Sequence, residues 1–216
     1  MEKPSVESLM VCRQASRLIV KVSARHIHLR QETVELLFGK GYEIVPDGPA
    51  HGQWLSTSRV TVIGPRTSFE RVAVMGPCRD FDQLEISATD ARTLGVPAVL
   101  RASGDIEGTP GIRVVGPAGE VVLDQGVIVA ERHIHMGPKT AEANGLKEGD
   151  MVLMCVESEG RTLIFGDTAI HTNGPDNGRA LSHIDTDEGN ACGCGKAAEG
   201  YILGKMEDLH KLFPDA

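Results

Sequence analysis

The chain has eight histidines, and four of them stand in two identical tetrapeptides, Arg25-His26-Ile27-His28 and Arg132-His133-Ile134-His135. The flanks repeat as well: VKVSARHIHL (20–29) aligns without gaps on VIVAERHIHM (127–136). Each Val/Ile-rich run predicts a β-strand leading into its histidine pair. On a strand, side chains at i and i+2 leave the same face. His26 and His28 can therefore bind one metal ion together while Ile27 faces the core, and His133 and His135 repeat the arrangement. Neutral imidazole is a good ligand for Zn²⁺, at a Zn–N distance of about 2.0–2.1 Å. One isolated HxH is more often a pair of surface or hydrogen-bonded histidines; its duplication favours metal.

Each pair needs further donors. His183 stands out in SHIDTDEGN, crowded by Asp185, Asp187 and Glu188, whereas His51, His171 and His210 have no comparable setting. Glu85, between Leu84 and Ile86, is read either as a solvent-facing carboxylate or as a ligand. Arg79, in GPCRDFDQLEIS, has the planar fork that binds phosphate, although composition alone reads it as a solvated surface arginine. No P-loop, GxSxG elbow or GxGxxG after a strand occurs. An open-site metal acts as a Lewis acid or activates a nucleophile, so the residues themselves lead to a two-metal, zinc-type, β-rich enzyme and leave its reaction open.

The elements that must position these residues are short. RVTVIG, RVAVMG, IRVVG, GVIVA and MVLMCV are bounded by turns such as GPR, GPAGE and TNGPDNG, the pattern of a sandwich or barrel. Three short helices are predicted, in RQETVELLFGKG, TDARTLG and KTAEANG, with Gly39, Gly95 and Gly145 as stops. A weaker second repeat relates residues 90–105 to 141–160, so the chain reads as two related β-rich halves. The net charge of −8 without a Lys/Arg block, and aromatics at 4%, argue against a nucleic-acid partner. No apolar run reaches the roughly 20 residues that span a bilayer, so no membrane partner and a cytoplasmic location are expected. Five cysteines at irregular spacing are read as free thiols, with Cys192 and Cys194 as loop thiols in preference to a metal site.

At these residues the chain resembles the PduL-type phosphotransacylases, or phosphate propanoyltransferases. The matching stretches are RHIHL, VMGPCRDFDQLEISATDARTLG, ASGDIEGTPGI, GVIVAERHIHM, LKEGD, LIFGD and HIDTDEGNA, covering about residues 19–192. The resemblance implies a phosphate acyltransferase that interconverts propanoyl-CoA or acetyl-CoA plus phosphate with acyl phosphate plus coenzyme A. The alternative is a zinc-dependent thioester or ester hydrolase. The resemblance also implies two β-barrels with strand exchange and a few short helices: 15–24 with 131–216, and 25–130, with both metal pairs at their junction. Carried over by position, His26, His28 and Glu85 are implied to hold one zinc, with the coenzyme sulfur as a further ligand. His133, His135 and His183 are implied to hold a second, more open zinc, or another divalent ion. Arg79 is implied to bind phosphate for direct attack on the thioester. A homodimer is expected. Residues 1–14 resemble an encapsulation peptide that places such enzymes inside a bacterial microcompartment, with an unstructured tail as the alternative. NACGCGKAAEGYILGK departs from the alanine-rich tail of the family and leaves Cys192 and Cys194 without a role.

Overall fold

Alternating burial builds the strands. In β1 (Arg17–Val22) Leu18 and Val20 point inward while Arg17 and Ile19 face out. The computed structural model describes residues 17–50 and 52–208; the expected leader, His51 and His210 lie outside them. The described residues fall into two units, one running to Ser23 and resuming at Glu131, the other spanning Ala24–Ala130. Both chain crossings lie two residues before a histidine pair.

The first unit is a closed six-stranded barrel. Its strands are β1, β10 (His133–His135), β11 (Met151–Val156), β12 (Leu163–His171), β13 (Ala180–Ile184) and β14 (Ala197–Lys205), in the order β1-β13-β10-β12-β11-β14. β1 closes the barrel by pairing parallel to β13 and antiparallel to β14. The strand before the other unit thus completes this one, the expected strand exchange. Leu18, Val20, Ile134, Val152, Met154, Ile170, Ile184 and Ile202 form the core. Cys192 and Cys194 belong to it, at 0% and 5% exposure. Cys192 closes a short helix and Cys194 lies in the loop after it, so the loop reading holds for Cys194 alone, and both free thiols pack in the barrel core.

The second unit is an eight-stranded curled sheet. It contains β2 (His26–His28), β3 (Trp54–Ile63), β4 (Ser68–Gly76), β5 (Gln83–Glu85), β6 (Leu100–Arg101), β7 (Ile112–Val115), β8 (Glu120–Leu123) and β9 (Val127–Ala130). The order is β6-β9-β5-β2-β4-β3-β7-β8. Its core centres on Ile27, Leu29, Leu37, Val62, Val74, Leu84 and Leu94. The mainly β fold with two related barrel-like units is borne out, with one closed and the other curled.

The three predicted helices are present as α1 (Gln31–Phe38), α2 (Ala88–Leu94) and α3 (Pro138–Ala143), and a fourth, α4 (Thr186–Cys192), follows β13. The Asp185 carboxylate accepts from the Glu188 backbone N–H at 2.8 Å, and Glu188 accepts from that of Asp185 at 3.0 Å. This capping box assigns the acidic cluster after His183 to starting a helix, an interaction worth about 1 kcal/mol. Ser87 caps α2 with its hydroxyl oxygen, which accepts from the Asp90 N–H at 3.2 Å. Both helices stop at a left-handed glycine, Gly95 at φ 83° and Gly193 at φ 67°, where a Cβ is disfavoured. In topology α2 corresponds to α4, because each follows the strand beside the histidine pair. The weaker repeat, which aligns α2 with α3, is therefore not a structural one.

Candidate metal centres

The two histidine strands have the same neighbours in each unit. β2 lies between β4, parallel, and β5, antiparallel; β10 lies between β12, parallel, and β13, antiparallel. His26 is in register with Glu85, and His133 with His183. The residue opposite the first histidine is thus, in both units, the one expected from the family resemblance as the further donor. On the far side of that donor strand, Glu85 faces Ile128 and His183 faces Lys21, the same column of the gap-free repeat. A β-bulge recurs as well. Arg71 and Asp167, at φ 56° and 45°, are the non-glycine residues with positive φ among the described residues. Each lies two residues before the strand partner of the first histidine. Ile27 and Ile134, both 0% exposed, hold the histidine strands down. Each is worth about 1.5–3 kcal/mol of apolar burial.

The repeated arginine has a structural part. Arg25 forms a bidentate pair with Asp90 in α2, at 2.9 and 2.7 Å, and stacks over Phe69 at 4.1 Å. Arg132 pairs with Glu188 in α4, donates to the Gly166 carbonyl at 2.9 Å and stands over Phe165. Asp90 and Glu188 occupy the third helical position after their caps. In each unit the arginine therefore ties the histidine strand to the helix that follows the donor strand.

In the unit Ala24–Ala130, ligand atoms of His26, His28 and Glu85 all lie within 4.8 Å of one another. His26 Nδ1 hydrogen-bonds the Ala24 carbonyl at 2.9 Å, which turns Nε2 toward Glu85 Oε2 at 3.4 Å. His28 is 1% exposed, and neither of its ring nitrogens has a hydrogen-bond partner. At 3.5 Å from Glu85 Oε1 its Nε2 is beyond good hydrogen-bond range. A buried imidazole with both nitrogens unmatched fits a metal ligand, because a bound cation supplies what Nε2 lacks. Burial pushes the His28 pKa down and favours the neutral, ligating ring. Burial would raise the Glu85 pKa, but the facing His28 and His26 rings and the Ser103 hydroxyl outweigh it and hold Glu85 well below the usual carboxylate range.

Sequence reasoning missed the residues that support Glu85. The buried Gln83 donates to Glu85 Oε1 at 2.7 Å, and Ser103 donates to it at 3.0 Å. Arg79 joins the network: Nη1 donates to Ser103 Oγ at 3.2 Å, and its backbone N–H donates to the Leu29 carbonyl, one residue past the histidine pair. Partly buried, with its guanidinium 5.4 Å from the Phe81 ring centre, Arg79 is not the solvated surface arginine that composition alone suggests.

In the barrel, ring centres lie 4.7 Å apart for His133–His135, 5.5 Å for His133–His183 and 5.8 Å for His135–His183. Each Nδ1 is held by an oxygen: the Glu131 carbonyl for His133 at 2.8 Å, Asn173 Oδ1 for His135 at 2.6 Å, Ser23 Oγ for His183 at 3.2 Å. Such contacts fix the ring, so any ligand role would fall to Nε2. Burial lowers the His135 pKa and so favours its neutral form. Glu85 and Gln83 of the other unit are replaced here by His183 and Leu181, which makes this donor set all imidazole.

No helix among the described residues is long and apolar enough to cross a membrane. Residues 19–195 match the family model for phosphate propanoyltransferase. The chain is 47% identical over 187 residues to the phosphate propanoyltransferase of Thermotoga maritima, covering 86% of this chain and 88% of that one. It is 44% identical over 202 residues to that of Leptotrichia buccalis, covering 93% and 94%. With that of Salmonella typhimurium it shares 48% identity over 174 residues, covering 80% and 81%. The paired histidine centres and these matches agree: the chain belongs to the phosphate propanoyltransferase family of acyl-transferring enzymes.

Proposed function

We propose that the protein transfers a short acyl group, propanoyl or acetyl, between coenzyme A and phosphate, with two divalent metal ions, zinc in the first instance. His26, His28 and Glu85 hold one ion; His133, His135 and His183 hold the other. Bound zinc supplies a Lewis acid for the thioester carbonyl and for the departing thiolate. The donor sets differ by one negative charge. The carboxylate-bearing set suits the sulfur side, and the all-imidazole set keeps more positive charge for the phosphate side. Arg79 binds phosphate through its fork and orients it for direct attack. A phosphate oxygen bonds to the carbonyl carbon, the C–S bond breaks, and its electron pair leaves on sulfur. No protein nucleophile takes part. Cys192 and Cys194 are buried in the core, and burial pushes both thiols up, away from the reactive thiolate.

The observation that carries this reading is the link from the orphaned His28, through Glu85 and Ser103, to Arg79 within one unit. The reading extends to a homodimer and to delivery of the enzyme into a microcompartment by residues 1–14.

The test mixes acyl phosphate and coenzyme A with zinc-loaded protein and follows thioester absorbance. Thioester formation is expected. Hydrolysis of acyl-CoA with no dependence on phosphate overturns the reading in favour of a hydrolase. Arg79→Lys, which keeps the charge and loses the fork, should raise the phosphate KM about tenfold or more with zinc content unchanged. An unchanged phosphate KM removes Arg79 from the phosphate site.

A further inference from the structure

In the sequence His171 has no setting comparable to the repeats; in the barrel it has one. We propose that His171 is a fourth imidazole donor of the centre built by His133, His135 and His183, and that Glu148 orients it. This rests on reading that centre as a metal site.

Strand register places His171 there. It ends β12, which runs parallel to β10, and it pairs with His135. Register partners project from the same face of a sheet. His183, on the other flank of β10, pairs with His133. The four histidines therefore share one face across three neighbouring strands, with His171 and His183 on opposite sides of the central pair.

Ring geometry agrees. The His171 ring centre lies 5.4 Å from that of His133 and 5.6 Å from that of His135. The corresponding distances for His183 are 5.5 and 5.8 Å. His171 thus approaches the pair as closely as the third donor does. An imidazole bound through nitrogen at about 2.0–2.1 Å has its ring centre roughly 3 Å from the ion, so rings sharing an ion are spaced on this scale.

His171 also carries the orienting contact of the other three rings. Its Nδ1 meets Glu148 Oε1 at 2.8 Å, while Glu148 Oε2 accepts from the Thr172 hydroxyl at 2.8 Å and from its backbone N–H. A carboxylate on Nδ1 is the common support of a metal-ligating histidine. In the other unit the residue at this position is Met75, the register partner of His28, so the fourth imidazole belongs to the barrel alone.

Four donors from one face of a sheet cannot surround an ion. They cover one side and leave the other for substrate or water, unlike the closed tetrahedron of a structural zinc. Such a set would leave room for a substrate oxygen, which deepens the phosphate-side assignment.

The test uses the full chain loaded with zinc, and with Co²⁺ as a spectroscopic substitute. His171→Met reproduces the other unit at this position. It should lower the metal affinity of one of the two centres about 10- to 100-fold, measured against a competing chelator, and change the Co²⁺ absorption of that centre. Glu148→Gln, on an exposed side chain that does not threaten folding, should produce a smaller loss at the same centre. Unchanged affinity and Co²⁺ spectrum in both variants overturn the proposal. His133→Ala separates the two failures. If it loses one metal while His171→Met and Glu148→Gln lose nothing, only the fourth ligand is wrong. If it keeps both metals, the centre itself is misread.

Discussion

His28→Leu should stabilise the metal-free protein and weaken its response to zinc. The His28 ring is 1% exposed, and neither nitrogen has a hydrogen-bond partner. A neutral imidazole carries one donor and one acceptor. A buried polar group left unmatched costs about 1–3 kcal/mol. Leucine has no polar atom, so a net gain of about 1–3 kcal/mol is expected after a small loss of fit. For a chain of this size each kcal/mol moves the melting temperature by about 2–4 °C, so the variant should melt roughly 2–12 °C higher in EDTA. Glu85 keeps Gln83, Ser103 and His26 as partners, so the substitution does not strand its charge. Zinc reverses the order. A ligand at a hundred times its dissociation constant adds about 2.7 kcal/mol, and the variant forgoes that at one centre. The assay is thermal unfolding of both proteins in EDTA and in saturating zinc. A variant that melts below wild type in EDTA, or gains as much from zinc as wild type does, refutes the argument that His28 is held in a costly state for a metal.

Two further outcomes follow from the same structure. Arg25→Ala should cost roughly 2 kcal/mol in urea unfolding, because it strands Asp90, whose side chain is 8% exposed. The full cost of breaking a buried pair, about 3–5 kcal/mol, is discounted because Arg25 itself is 40% exposed; a double-mutant cycle with Asp90→Ala showing no coupling would refute it. Asp150→Asn should lower the melting temperature at neutral pH but not in strong acid. Burial would raise the Asp150 pKa, but Lys205 at 2.7 Å and the Lys147 N–H outweigh it and lower the value. A depressed native pKa contributes stability above the unfolded value, near 3.8, which is lost as the pH falls through the native one. Melting curves of both proteins from pH 7 to pH 2 should converge at the acid end.

Much of this protein is local. Strand alternation places His26 with His28, and His133 with His135, whatever the fold, because side chains two apart on a strand share a face. Gly95 as a helix stop is equally local, and so is the duplication that makes the two histidine strands equivalent. The Asp185-x-x-Glu188 capping box is legible too, although beside His183 it stands out only as acidic crowding. Other assignments rest on kinship: nothing in the residue pattern separates Glu85 as a ligand from Glu85 as a solvated carboxylate, and the ligand reading comes from the family resemblance.

What only tertiary structure decides is register. His26 opposite Glu85, His133 opposite His183 and His171 beside His135 join strands far apart in sequence. No local preference specifies such a pairing, because it follows from closing the barrel and curling the sheet around Ile134 and Ile27. The same holds for burial. In sequence His28 and His26 are interchangeable, but only the fold leaves His28 without a hydrogen-bond partner. Types and spacing thus determined that the chain has two paired-histidine strands, and long-range strand pairing decided which further side chains stand beside each pair.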